Sequence, residues 1–454
     1  MTGVAAAHRD LSTRAIHGVL LGAFGGLLFF ITRRVPEVHG GMWIIAGFGF
    51  LLLAGTLMSE LVAPIGLPHL TGYLIAGILS GPHVLKLVDE PTVKSLSPVN
   101  MLALSLIALA GGAELDLVSV RKGARTLVAA TVVQTTLVLV VMSGAFIATR
   151  PLIEFARMLS PGAFAGVALL WGALAVTRSP SATLGILSQT RAHGPLATST
   201  LAFVMTSDLV VVVLLAAVLG SVRPLIDPGA SLSMSSFVTL GHELFGSIAL
   251  GTTLGIVLVA YLRLVNKQML VVLLVLGFGL TTVLEYLQFD SLLTFMVAGL
   301  IVRNMSNQGA KFVQYIEQTG AVVYVVFFAI AGADLDVPLL RTLWPVALIL
   351  AGARALVTWA ASQAAAHLAN DPPILRRWSW SGLVSQAGLT LGLSGLVARE
   401  FPIIGTPFRS LAIATIAVNE MIGPVLFKLA LDRTGETSRV SPPSFPSMRP
   451  PPID

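Results

Sequence analysis

WGALAVTRSPSATLGILSQT, residues Trp171 to Thr190, is the stretch on which the fold turns. It is an apolar segment interrupted near its middle by Thr177-Arg178-Ser179-Pro180. Proline lacks a backbone donor and clashes with the preceding turn, so a helix predicted on either side must stop and restart there. The next apolar run, Pro195 to Gly220, carries a single carboxylate, Asp208, near its centre. A broken helix and a lone carboxylate are both costly in hydrocarbon, and a simple membrane anchor needs neither. The pattern predicts that Asp208 binds a proton or a cation beside the break.

The rest of the composition sets this stretch in a membrane. The chain has 454 residues, 55% hydrophobic and only 11% charged, where a soluble domain carries about 25% charged residues. The apolar residues fall in runs near the ~20 residues needed to cross a bilayer core. Fourteen segments are predicted, starting near Ala15, Met42, Pro68, Pro98, Ala124, Gly162, Pro195, Phe237, Gln268, Asp290, Phe312, Arg341, Trp378 and Thr406. With both termini on the cytoplasmic side, the larger share of Lys and Arg falls inside, the expected sign for a cell (inner) membrane protein. The net charge of +6 is therefore read as loop bias, and no nucleic acid is expected. There is no cysteine, and no phosphate loop, metal cluster or nucleophile motif, so neither an enzyme nor a cofactor is expected.

An internal repeat organises the segments. LTGYLIAGIL (Leu70 to Leu79) returns as LLTFMVAGLI (Leu292 to Ile301), 222 positions later. IALAGGAELDL (Ile107 to Leu117) returns as FAIAGADLDV (Phe328 to Val337), offset by 220. Seven spans separate equivalent points, an odd number, so the two units must be inverted. The predicted fold is an all-α polytopic membrane protein. Its inverted six-helix repeats are joined by a linker helix, with two crossed discontinuous helices, an architecture of secondary transporters. The corresponding division is residues 1–41 as a tail and extra helix, 42–235 as the first repeat, 236–266 as the linker, 267–431 as the second repeat, and 432–454 as a disordered cytoplasmic tail.

Within that frame the second broken segment is SGLVSQAGLT (Ser381 to Thr390), interrupted at Ser385, Gln386 and Gly388. Hydroxyls and freed carbonyls near the first break, with Thr177, Ser179 and Ser181, are hard oxygen ligands suited to an alkali cation. Arg178 and Arg354 lie in apolar surroundings and call for counter-charges. Glu420 holds nearly the position in the last helix that Asp208 holds in the first unit. The expected charge network is Asp208, Arg178, Arg354 and Glu420, with Glu420 paired structurally to one arginine.

LTGYLIAGILSGP (Leu70 to Pro82), the AGGAELDL and AGADLDV helix ends, TRSPSATLGIL and the TSDLVVVV helix together resemble the monovalent cation:proton antiporters. The sodium/hydrogen exchanger domain and the Kef-type potassium efflux branch are the nearest forms. The resemblance spans Met42 to Leu431 and implies a homodimer with a mobile core working by elevator-like alternating access. It casts Asp208 as the transport aspartate, with Ser207, Thr177, Ser179, Ser181, Ser385 and Gln386 around the ion. Ser207 stands where electrogenic members carry a second aspartate, which implies electroneutral exchange of Na⁺ or K⁺ for H⁺. Arg178 stands where the family has an uncharged or acidic residue. Two alternatives remain open: a transporter of an anion or organic ion, and a transport-inactive membrane sensor or scaffold.

Overall fold

The computed structural model describes residues 41–437 except 115–116, 123, 227–233, 266–268, 307–308 and 387, together with residues 19, 22, 23 and 26. Most of the first predicted segment, Asp116, and the tail from 438 lie outside the described residues, as do the side chains of Asp208, Glu114, Glu285 and Glu317.

The described chain is helical, and each predicted segment from the second onward contains a helix. In order these are α1 (Gly41–Val62), α2 (His69–Ser80), α3 (Ser97–Glu114), α4 (Ala124–Ala148), α5 (Pro161–Ala175), α6 (Pro180–Thr190) and α7 (Pro195–Ile226). They continue as α8 (Met234–Leu264), α9 (Met269–Leu287), α10 (Ser291–Met305), α11 (Gly309–Ala333), α12 (Val337–Ala369), α13 (Gly388–Glu400) and α14 (Pro402–Thr434). A 3-10 turn, Ser379–Leu383, precedes α13. Among the described residues, six helical spans are long and apolar enough to cross a membrane, and further apolar helices are shorter. Helix is the form such sequences take in lipid, because it pairs every backbone polar group within the segment. Pro161, Pro180, Pro195 and Pro402 each open a helix, at the position where a missing N–H costs nothing.

The repeat is visible in how the helices exchange partners. α2 of the first unit packs on α11 of the second, and α3 of the first on α10 of the second. Glycines set both contacts. A Cβ on Gly77 would overlap the Ala329 carbonyl and crowd Ala333, and one on Gly299 would overlap the Leu109 carbonyl and crowd Ala113. In the other direction, Gly112 abuts Met296 and Leu300, while Gly332 abuts Leu74 and Ile78. Each contact maps onto its mate by the offsets of the sequence repeat. Close backbone approach between small residues is how helices associate where lipid removes the hydrophobic drive. Leucine at Gly112 or Gly332 is therefore expected to destabilise the protein by about 2–3 kcal/mol through overpacking. Thermal melting of the detergent-solubilised protein measures it, and an unchanged midpoint would contradict the close-contact role.

Among the described residues, besides a small cluster at Leu127, Ala202, Phe203, Val204 and Leu383, two large apolar clusters result. One gathers residues of α1–α3 and α8–α11 together with the facing side of α6. The other is formed by α4, α5, the second half of α7, α12, α13 and α14. Residues 432–437, assigned by composition to the tail, instead continue α14 to Thr434 and then dock. Gly435 ends the helix at φ 73°, a left-handed conformation that glycine adopts without a Cβ penalty. The next residue, Glu436, is 8% exposed. Its carboxylate accepts the backbone N–H groups of Leu196 and Ala197, both at 2.8 Å, at the start of α7. A negative group suits a helix N-terminus, where backbone donors are otherwise unpaired. Glu436→Ala is expected to cost about 2 kcal/mol, the scale of hydrogen bonds to a charged group. A melting midpoint equal to that of the parent protein would refute this role.

Candidate functional site

The first break forms as the sequence predicts. α5 ends at Ala175, Ser179 is extended at φ −115° and ψ 100°, and α6 begins at Pro180. The residue before a proline is pushed out of the helical region, which fixes the place of the interruption. Ser179 then caps the new helix, accepting the Ala182 N–H at 3.1 Å, and its carbonyl accepts the Thr183 hydroxyl at 3.0 Å. Ser179 and Ser181 hydroxyls lie 3.1 Å apart. Thr177, Ser179, Ser181 and Thr183 are all buried.

The second break lies between the 3-10 turn and α13, and it crosses the first. The Gln386 amide donates to the Thr177 hydroxyl at 2.8 Å and to the Leu174 carbonyl at 3.3 Å. Thr177 and Thr390 hydroxyls are 2.7 Å apart, and Thr177 donates to the Leu174 carbonyl at 2.7 Å. Asn419, on α14, donates to the Gln386 side-chain carbonyl at 2.7 Å. Ser385 is buried against α14 at Gly423, where a Cβ would overlap its hydroxyl.

Arg354, from α12, joins the two breaks. Its guanidinium donates to the carbonyls of Ala175 (2.8 Å) and Thr177 (2.6 Å) on one side, and Val384 (2.5 Å) and Leu383 (3.3 Å) on the other. These carbonyls belong to helix ends that have no further turn to donate N–H groups to them, and such ends carry partial negative charge. The counter-charge sought for Arg354 is thus supplied by backbone dipoles rather than by a carboxylate. The carbonyls of Ala175, Thr177, Leu383 and Val384 are thereby engaged by the guanidinium. The Thr177 hydroxyl is likewise engaged by three partners.

Arg178 is 2% exposed. It donates to the Val176 carbonyl at 2.7 Å and to the Gln134 side-chain oxygen at 3.3 Å, and lies 4.6 Å over the Phe203 ring. Gln134 is held in turn by the Thr358 carbonyl at 3.1 Å and the Ser362 hydroxyl at 2.6 Å. Gln134 and Phe203 also line a crevice, together with Thr126, Thr200, Ser362 and Asp371.

Asp208 lies on α7, and its side chain is outside the described set. Its neighbour Ser207 is buried and donates to the Val204 carbonyl at 2.8 Å. Glu420 is 9% exposed, and its Oε2 has no hydrogen-bond partner. Among the described residues it forms an ion pair with neither Arg178 nor Arg354, so the expected Glu420–arginine pair is not present in this conformation. The Arg354 guanidinium is instead turned to four carbonyl oxygens, and the described partners of Arg178 include the Val176 carbonyl and the Gln134 amide oxygen.

Two residues of the crossing were not anticipated, Gln134 and Asn419. Each is a solitary amide in an apolar helix, a signal present in TLVAATVVQTTLVLVV and in IAVNEMIG. Ionisable residues in apolar helices carry the stronger signal, because their burial costs more.

A model of the family described as "Sodium/hydrogen exchanger, transmembrane" matches residues 48–432. The Na⁺/H⁺ antiporter NhaP of Pseudomonas aeruginosa is 29% identical over 176 residues, 37% of this chain and 41% of that protein. The chain thus spans about two fifths of this relative's length. The sodium proton antiporter MjNhaP1 from Methanocaldococcus jannaschii, at pH 8, superimposes with a TM-score of 0.64 at 17% identity, covering 87% of this chain and 99% of that one. An electron-microscopy structure of the same antiporter gives 0.61 at 17% identity, with 88% and 100% covered. At that identity the likeness is one of fold.

Proposed function

The chain belongs to the sodium/hydrogen exchanger family, and we propose that it exchanges a monovalent cation, Na⁺ or K⁺, for protons across a membrane. Asp208 is the shared proton and cation group in this reading, and Ser179, Ser181 and Ser385 supply neutral oxygens. Exchange is electroneutral, since Ser207 leaves one aspartate at this point of α7. Alternating access follows from an elevator-like movement of the crossing and its supporting helices, in a homodimer of the cell membrane with cytoplasmic termini. The division into two repeats about the linker at residues 236–266 belongs to the same reading.

The observation that carries it is the crossing itself. Two interrupted helices meet at Thr177 and Gln386 with their polar groups buried, an arrangement that a membrane anchor has no use for. Protein reconstituted in liposomes with an imposed pH gradient and a pH dye provides the test. Addition of Na⁺, K⁺ or Li⁺ is expected to dissipate the gradient, with the preferred cation acting at the lowest concentration. An imposed voltage is expected to leave the rate unchanged. A correctly folded protein that answers to none of these cations would overturn the reading.

An anion or organic-ion substrate is the second reading, favoured by the buried Arg178 against Gln134 and Phe203, two residues that line the crevice. It predicts gradient dissipation by an added anion and none by alkali cations.

A further inference from the structure

Among the residues of the expected network whose side chains are described, Glu420 is the one whose part the crossing leaves open. Its carboxyl is buried, and Oε2 has no hydrogen-bond partner. A buried acceptor left unsatisfied forfeits its hydration without compensation, the more so when charged, so a native orphan of this kind asks for an explanation. A second feature of the same residue points the same way. Pro424 stands four positions on, inside α14. It has no N–H to give the Glu420 carbonyl, which therefore lacks its ordinary helical partner. One residue thus brings a carboxylate oxygen and a freed backbone carbonyl, both hard ligands of the kind that alkali cations take.

The surroundings tie Glu420 to the second break. Asn419, beside it, holds Gln386. Gly423, three residues on, is the seat of Ser385 on α14, and residues three apart lie on one helical face, about 5–6 Å between Cβ positions. Glycine at 423 lets α14 approach Ser385 directly. Neither Gly423 nor Pro424 is required by a plain membrane helix, and a helix weakened at both positions beside an orphan carboxyl is what a ligand site needs.

We propose that Glu420 is a second cation-binding carboxylate of the transport site, joining Asp208 through its unpaired Oε2 and its freed carbonyl beside Ser385. The proposal rests on the cation:proton exchange reading above and extends it. It also accounts for Arg178. Asp208, Glu420 and one fixed guanidinium leave a single net negative charge, which one monovalent cation or one proton balances. The charge of Arg354 is met separately by its four carbonyls. A second carboxylate is thereby compatible with one-for-one exchange.

The test uses the full chain in proteoliposomes, with gradient dissipation followed against Na⁺, K⁺ and Li⁺ concentration for the parent protein, Glu420→Gln, Glu420→Asp and Asp208→Asn. A parallel readout is the rise in melting temperature on adding the preferred cation in detergent. Glu420→Gln is expected to raise the half-saturating cation concentration about tenfold or more and to shrink the cation-induced melting shift, with Glu420→Asp recovering most of both. A Glu420→Gln protein with parental half-saturation and a parental melting shift would overturn the proposal while leaving the exchange reading standing. Equal losses in Glu420→Asp and Glu420→Gln, with the cation-free melting point lowered in both, would assign Glu420 a structural role and also overturn it. A parent protein indifferent to every alkali cation would overturn both readings together.

Discussion

Replacing Asp208 by asparagine is expected to reduce cation-driven proton movement to the level of protein-free liposomes. The amide keeps the size of the side chain and removes the group that can hold a proton or a cation by charge. Exchange of unlike ions at one position requires a ligand whose charge is answered by either, and no neutral oxygen in the crossing can replace that. Ser179, Ser181 and Ser385 contribute dipoles, and Thr177 is occupied by Leu174, Gln386 and Thr390. The melting temperature of Asp208→Asn without added cation is expected to stay near that of the parent protein, which separates lost chemistry from lost fold. Retained exchange in the variant would move the site elsewhere, with Glu420 as the first residue to examine.

Arg354→Met is expected to have the largest effect on stability of any substitution in the crossing. Four carbonyls from two breaks converge on this guanidinium, and methionine fills the volume without giving them a donor. Removing one side of a buried charged arrangement costs about 3–5 kcal/mol. Arg354→Lys should fall between, because an ammonium keeps the charge but lacks the planar fork that reaches both sides at once. Thermal melting in detergent orders the three proteins, and a methionine variant as stable as the parent would show that the breaks hold each other without the clamp. Exchange should fall in the same order, since the hydroxyls of both breaks are positioned by the backbone that Arg354 ties together.

Much of this was legible in the chain before any contact was known. Hydropathy places the helices because a helix satisfies all its backbone bonds within one apolar segment in lipid. Pro180 marks the first break by local chemistry alone. The two repeated motifs foretell the glycine contacts, since Gly77 and Gly299, and Gly112 and Gly332, occupy matching places in them. Charge is less legible, because carboxylates are the only opposite charges that the sequence spells out for a buried arginine. The partial charge on a helix end has no letter of its own, and it was this that met Arg354.

By itself, then, the sequence determined the membrane class, the helix order, the inverted repeat and the two interruptions, all of which follow from local composition or from similarity between segments. Only the tertiary structure decided who meets whom inside the crossing. Arg354 reaches Ala175 across 179 positions and Gln386 reaches Thr177 across 209, and no periodicity carries information over such distances. The stretch at Thr177–Pro180 announced that a helix would break. Packing decided that its freed carbonyls would hold an arginine, and left Glu420 with an oxygen to spare.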